Sequence, residues 1–138
     1  MTRRALALGL VLAAALPLAC GPGDHGGEGE AHGEAAGYER GPHRGRWLAD
    51  GDFALELVIF EDGVPPEFRA FFYRDRQPLD PAQIELEVTL RRLAQRTDQI
   101  RFAQRGEYLL GDQTVYEPHS FDAEIVARES GRERRFQF

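Results

Sequence analysis

Residues 84–91 read Ile-Glu-Leu-Glu-Val-Thr-Leu-Arg, an alternation of apolar and polar side chains over eight positions. Successive side chains of an extended strand point to opposite faces, so this order places every apolar residue on one side. The segment is therefore predicted to be a half-buried β-strand with one face in water.

The same period recurs before and after this strand. Residues 53–60, Phe-Ala-Leu-Glu-Leu-Val-Ile-Phe, place Phe53, Leu55, Leu57 and Ile59 on one side of an extended segment. Shorter alternating runs lie at 68–72, 100–102, 121–127 and 136–138. These runs predict strands that share one apolar core.

Turn residues separate the runs. Gly, Pro, Asp and Ser mark the breaks at 61–66, 75–81, 105–106, 111–112 and 129–131. Short strands at this spacing predict an all-β fold, an immunoglobulin-like antiparallel β-sandwich of about seven strands over residues 41–138. Residues 91–97 are compatible with a helical turn instead.

The first 20 residues have the composition of an export signal. Arg3 and Arg4 precede an apolar run that ends at Ala19, which is too short for a membrane span of about 20 residues. The single cysteine, Cys20, follows directly, and the segment resembles a bacterial lipoprotein signal in which cleavage leaves a lipidated cysteine. We expect residues 1–19 to be this signal peptide, with ordinary secretion as the alternative.

Residues 20–40 are predicted to be a flexible tether that precedes the sandwich. The stretch is rich in Gly, Glu, Ala and His and has too little apolar surface to offset the entropy of ordering. Its His25 and His32, close to several carboxylates, could gather a divalent metal. The alternative is a plain spacer between the membrane and the domain.

Charge and residue content exclude several classes of function. The formal charge is −6, and every positive side chain is an arginine, so nucleic acid is a poor partner and a phosphate loop with its lysine is absent. Ser120 and His119 are strand neighbours that point apart, and the pairs Asp50/Asp52 and Glu85/Glu87 are typical of wet surfaces. We therefore predict no catalytic residues and no enzymatic activity.

Two further histidines lie in the predicted domain. His43 and His119 could form an open metal site together with Glu117 or Asp122 if the fold brings them together. Without the signal peptide the chain has no methionine, and Cys20 would be acylated, so soft sulfur ligands are missing. Any metal is expected to be a borderline divalent ion such as zinc.

Several ordered segments between residues 41 and 138 resemble one known family. The chain is similar there to the N-terminal domain of CzcB-like membrane fusion proteins, the periplasmic adaptors of heavy-metal RND efflux systems. The segments are Gly-Pro-His-Arg-Gly-Arg (41–46), Phe-Ala-Leu-Glu-Leu (53–57), Ile-Phe-Glu-Asp-Gly-Val-Pro-Pro-Glu-Phe-Arg (59–69), Gln-Pro-Leu (77–79) with Pro81, Gly-Glu-Tyr-Leu (106–109) with Gly111-Asp112, and Glu-Pro-His-Ser-Phe-Asp (117–122).

The resemblance implies a periplasmic domain that works with an RND pump or adaptor. It does not cover the helical hairpin and later domains of such adaptors, so bridging of pump to channel is not implied. We expect a non-enzymatic accessory to divalent-metal efflux, anchored to the inner or outer membrane by Cys20. A free-standing relative, a shortened adaptor gene and a metal-buffering lipoprotein are the alternatives.

Overall fold

The computed structural model describes residues 37–138, which form nine β-strands and two short 3-10 helices. The predictions for the signal peptide, Cys20, His25 and His32 concern residues outside this range. The strands are β1 (Arg46–Asp50), β2 (Phe53–Phe60), β3 (Glu67–Arg74), β4 (Gln77–Leu79), β5 (Ile84–Arg92), β6 (Thr97–Arg105), β7 (Tyr108–Thr114), β8 (Phe121–Glu129) and β9 (Arg132–Gln137). No helix in this part of the chain is long and apolar enough to cross a bilayer.

All strand pairs are antiparallel, in the order β1-β2-β3-β7-β6-β5-β8-β9, with β4 added to β3. Strand β6 belongs to two sheets, because residues 97–101 pair with β5 and residues 102–105 pair with β7. A front sheet of β1, β2, β3, β4 and β7 thus continues through β6 into a back sheet of β5, β8 and β9. This confirms the predicted all-β antiparallel sandwich.

The structure has nine strands where the sequence predicted about seven, since turn residues also occur inside strands. Gly111 lies within β7, and a Cβ atom at this position would come 3.0 Å from Cγ2 of Ile100 on β6. Close packing of two strands, not a turn, therefore favours a residue without a side chain at this position. Pro78 lies in β4, a three-residue strand that pairs only with β3. The helical turn considered for 91–97 is limited to a 3-10 helix at Leu93–Gln95, after β5 has ended at Arg92.

The core lies between the two sheets and contains the apolar side of each predicted strand. Strand β5 alternates buried and exposed residues along its length, and β8 buries every second side chain. Each fully buried aliphatic or aromatic side chain contributes about 1.5–3 kcal/mol relative to exposure. The largest fully buried apolar side chains are those of Phe53, Leu55, Phe68, Phe72, Val88, Leu90, Ile100, Val115 and Ile125.

An ionic cluster joins the two sheets at one end of the sandwich. Glu129 on β8 accepts hydrogen bonds from Nη2 of Arg74 on β3, at 2.6 and 2.9 Å, and from Nη1 of Arg134 on β9, at 3.3 Å. Arg134 is only 4% exposed, and its guanidinium lies 4.2 Å from the centre of the Phe53 ring. Asp50 and Asp52 complete the cluster, at 3.6 Å from Arg134 and 3.3 Å from Arg74.

Candidate functional site

A loop of residues 41–45 covers the outer face of the front sheet and buries a carboxylate beneath it. Glu56 is on β2 between Leu55 and Leu57, whose side chains enter the core, so its own side chain points to the opposite face. That face would normally be in water, yet Glu56 is 0% exposed. A fully buried carboxylate is costly unless hydrogen bonds satisfy its oxygens.

Four donors surround the Glu56 carboxylate. Oε1 accepts from the backbone N–H groups of His43 at 2.8 Å and Gly45 at 2.9 Å. Oε2 accepts from Nδ1 of His43 at 2.9 Å and from the Tyr73 hydroxyl at 3.0 Å. Both oxygens are therefore satisfied, and the carboxylate fixes the loop to strands β2 and β3.

The two glycines of this loop allow the close approach. A Cβ atom on Gly41 would overlap the carboxyl group of Glu56, and one on Gly45 would lie 2.6 Å from the carbonyl oxygen of Leu57. Real Cβ atoms are not found at such distances, so only glycine fits at either position. The two glycines of the Gly-Pro-His-Arg-Gly segment are thus needed for the loop to pack onto the buried carboxyl group of Glu56.

The same carboxylate orients the His43 imidazole. With Nδ1 donating to Glu56, the lone pair of the ring is on Nε2, and the side chain is 45% exposed. The ring stacks on Phe71 with a centroid distance of 3.6 Å and an interplanar angle of 8°. The hydrogen bond to Glu56 and the stacking on Phe71 therefore fix the His43 ring, with Nε2 as the nitrogen that can accept a hydrogen bond from a partner.

An apolar groove begins at this histidine. Its volume is about 490 Å³, and Phe71 and Tyr73 contribute to one wall, with Pro78, Leu79 and Pro81 around β4. Polar side chains also line it, namely Asp80, Gln104 and Glu107 in addition to His43. The groove can accommodate apolar side chains of a partner while His43 accepts one directed hydrogen bond.

Burial raises the pKa of Tyr73 above its ordinary value, and the hydrogen bond to Glu56 and the charge of that carboxylate raise it further. In the unfolded chain this hydroxyl ionises near pH 10. The stability that its protonated form contributes is fully present below about pH 10 and is lost as the pH rises toward the folded-state pKa.

We therefore expect the urea midpoint of unfolding to fall above about pH 10, because unfolding then releases a proton from Tyr73. The chain has no lysine to titrate in the same range. Urea titrations at several values from pH 8 to 11.5 test this, with Tyr73→Phe as the comparison. The variant should start less stable and lose less of its stability with pH, whereas parallel curves for the two proteins would refute the assignment.

His119 belongs to a second cluster of side chains, although it lines one cavity of about 590 Å³ together with His43. Its side chain lies with those of Glu61 and Glu117, and the three ligand atoms are all within 4.8 Å of one another. Within residues 37–138 this is the one group of three or more such side chains at that spacing, and it includes neither His43 nor Asp122. Two of the predicted ligands, His119 and Glu117, thus lie close together, and a metal site that also includes His43 stays a prediction.

Sequence reasoning missed Glu56, Tyr73 and Glu61 as site residues. Glu56 is the one charged residue in the apolar run 53–60, and this was the available signal. Glu61 was treated as a turn residue.

Comparisons with known proteins give one family. No curated protein and no solved structure matches the chain. Residues 45–136 match the family model described as the N-terminal domain of CzcB. The matched range includes Gly45, at the end of the loop over Glu56, and nearly all of the sandwich. This confirms the resemblance found in the ordered segments, and the chain belongs to the CzcB N-terminal domain family.

Proposed function

We propose that this protein is a non-enzymatic, lipid-anchored periplasmic interaction domain that assists RND-type efflux of divalent heavy metals. The observation that carries the proposal is the family match over residues 45–136. CzcB-like adaptors are periplasmic, and their association with RND pump components supplies the class of partner. The domain would bind a pump or adaptor through its exterior.

The geometry of the His43 cluster supports binding over catalysis. A general base needs a carboxylate with a free lone pair directed at substrate. Both oxygens of Glu56 are engaged by donors from the loop and from β3. The adjoining groove offers apolar wall and an oriented acceptor, which are the features of a contact surface for a partner.

We further propose that residues 1–19 are removed, that Cys20 carries the lipid, and that residues 20–40 separate the anchor from the domain at 41–138. Acyl chains add about 0.8 kcal/mol for each buried methylene, so the several chains of a bacterial lipoprotein anchor it firmly.

Cys20→Ser should move the protein from the membrane fraction to the soluble periplasmic fraction. Cell fractionation followed by immunoblotting measures this, with metabolic labelling by a radioactive fatty acid as a second readout. The wild-type protein should be labelled and sediment with membranes. Equal distribution of the two proteins would rule out the anchor.

The efflux role is tested in the source bacterium by deleting the gene and restoring it. We expect the deletion to lower tolerance to zinc, cobalt or cadmium, and the wild-type gene to restore it. Tolerance to an antibiotic that is not a metal should not change. A deletion strain that tolerates every one of these metals as well as the parent would argue against the proposal.

Buffering of a divalent metal is the second candidate function. The spacing of His25 and His32 among carboxylates in residues 24–34 favours it. Zinc calorimetry on the full chain, compared with the H25A/H32A variant, tests it. Identical heats for the two proteins would remove the tether from consideration.

A further inference from the structure

We infer that Glu61, Glu117 and His119 form a binding site for one divalent transition-metal ion in the folded domain. The inference depends on neither the lipid anchor nor the tether histidines. It concerns three exposed side chains from two loops, the loop between β2 and β3 and the loop between β7 and β8.

Backbone and side-chain contacts hold these two loops together. The N–H of Val115 donates to the carbonyl oxygen of Pro66 at 2.7 Å, which joins the β7–β8 loop to the β2–β3 loop. Nη1 of Arg92 donates to the carbonyl oxygens of Tyr116 at 2.9 Å and Pro118 at 3.0 Å. The ligand-bearing backbone is therefore fixed before any ion arrives, which reduces the ordering cost of binding.

One nitrogen of the His119 imidazole already has a hydrogen-bond partner, which leaves the other nitrogen for a metal. Its Nε2 lies 3.0 Å from the carbonyl oxygen of Val115, so Nε2 carries the proton and donates. The lone pair is then on Nδ1, free to coordinate. Metal-binding histidines usually donate their other ring N–H to a carbonyl or carboxylate in this way.

The carboxylates supply charge that nothing else neutralises. In residues 37–138, arginines pair with many of the acidic side chains, but neither Glu61 nor Glu117 makes an ion pair or accepts a hydrogen bond through its side chain. Arg92, which donates hydrogen bonds to the backbone of the β7–β8 loop, is itself paired with Asp98 at 2.6 Å. Two unpaired carboxylates close together repel each other, and a divalent cation between them removes that repulsion.

Distances and ligand types select the class of ion. Ligands bound to zinc at about 2.0–2.2 Å in a tetrahedral site lie about 3.3–3.6 Å apart. The present spread of up to 4.8 Å must close by about 1 Å, which rotations of the three exposed side chains can supply. One imidazole nitrogen with two carboxylate oxygens suits Zn²⁺, Co²⁺ or Ni²⁺ better than Mg²⁺ or Cu⁺. Three protein ligands leave a position for water or for a ligand from a partner.

Zinc calorimetry on the full chain carrying H25A/H32A tests the site without the tether. We expect one Zn²⁺ per chain, with affinity at least about tenfold weaker in Glu61→Gln/Glu117→Gln and in His119→Gln. Excess Mg²⁺ should not compete. The matched control is Asp75→Asn/Glu85→Gln, which removes two exposed carboxylates that form no ion pair in residues 37–138, and it should bind like the parent.

Zero stoichiometry in the H25A/H32A chain would overturn the inference, as would unchanged affinity in the double glutamine variant at 61 and 117. That variant changes only exposed side chains that accept no hydrogen bond, so its fold should persist, and a far-ultraviolet circular dichroism spectrum verifies this. His119→Gln loses a hydrogen bond to Val115, and the glutamate variant therefore decides the outcome if the two disagree.

Discussion

Glu56→Ala should lower the free energy of unfolding by about 3–5 kcal/mol, a large share of the 5–15 kcal/mol that stabilises a typical domain. The substitution removes the acceptor of four hydrogen bonds and leaves buried donors from His43, Gly45 and Tyr73. Each unsatisfied buried donor costs about 1–3 kcal/mol, although the loop can open to water and recover part of this. Urea unfolding followed by Trp47 fluorescence measures the loss.

Two comparisons make this result specific. Glu56→Gln keeps an oxygen for the two backbone donors, so it should lose less stability than the alanine variant. Glu85→Ala removes an exposed glutamate on β5 that forms no ion pair within residues 37–138, and it should change the urea midpoint little. If the alanine variants at 56 and 85 were equally stable, the buried carboxylate would not be what holds loop 41–45 to the sheet.

Glu129→Ala should have the second largest effect, a loss of about 3 kcal/mol or more. Glu129 is the acceptor for Arg134, whose side chain is 3% exposed, and for Arg74. Without Glu129, the buried Arg134 keeps only Asp50, at 3.6 Å, and losing one member of a buried ion pair typically costs about 3–5 kcal/mol. The contact also joins β3 of the front sheet to the β8–β9 hairpin, so its loss weakens the connection between the sheets.

A second substitution distinguishes lost charge pairing from lost packing. Arg134→Leu in the Glu129→Ala background removes the stranded guanidinium and should recover part of the stability, because an apolar side chain suits the position over Phe53. Glu133→Ala removes an exposed acid that pairs with Arg128 and Arg135, and it should matter little. A double variant less stable than Glu129→Ala alone would show that the arginine packs favourably even when it is unpaired.

Local alternation was sufficient to predict most of the fold. Strands β5 and β8 each alternate over nine residues, and a slip of one residue would move the core face into water. Strand β7 was not predicted, since its Gly111-Asp112 pair is typical of a turn and only the neighbouring Ile100 explains the glycine. Strand β4 has three residues, too few to show a period.

The sites depended on contacts that no local pattern contains. His43, Glu56 and Tyr73 are separated by 13 and 17 positions, and their meeting follows from the register of β2 against β3 and from the return of loop 41–45. The sequence predicted a site of His43 and His119 with Glu117 or Asp122, on the condition that the fold brings them together. Glu61 joins His119 and Glu117 only because the β2–β3 loop and the β7–β8 loop meet in space.

The proposed function requires that the domain bind a component of an RND efflux complex. The most direct measurement is cross-linking in living cells grown with zinc, followed by mild solubilisation of membranes, purification of the tagged full chain and mass spectrometry. We expect an RND pump or adaptor subunit to be recovered with the wild-type chain. Recovery of the chain alone, from cells in which the pump and its own adaptor are cross-linked to each other, would contradict it.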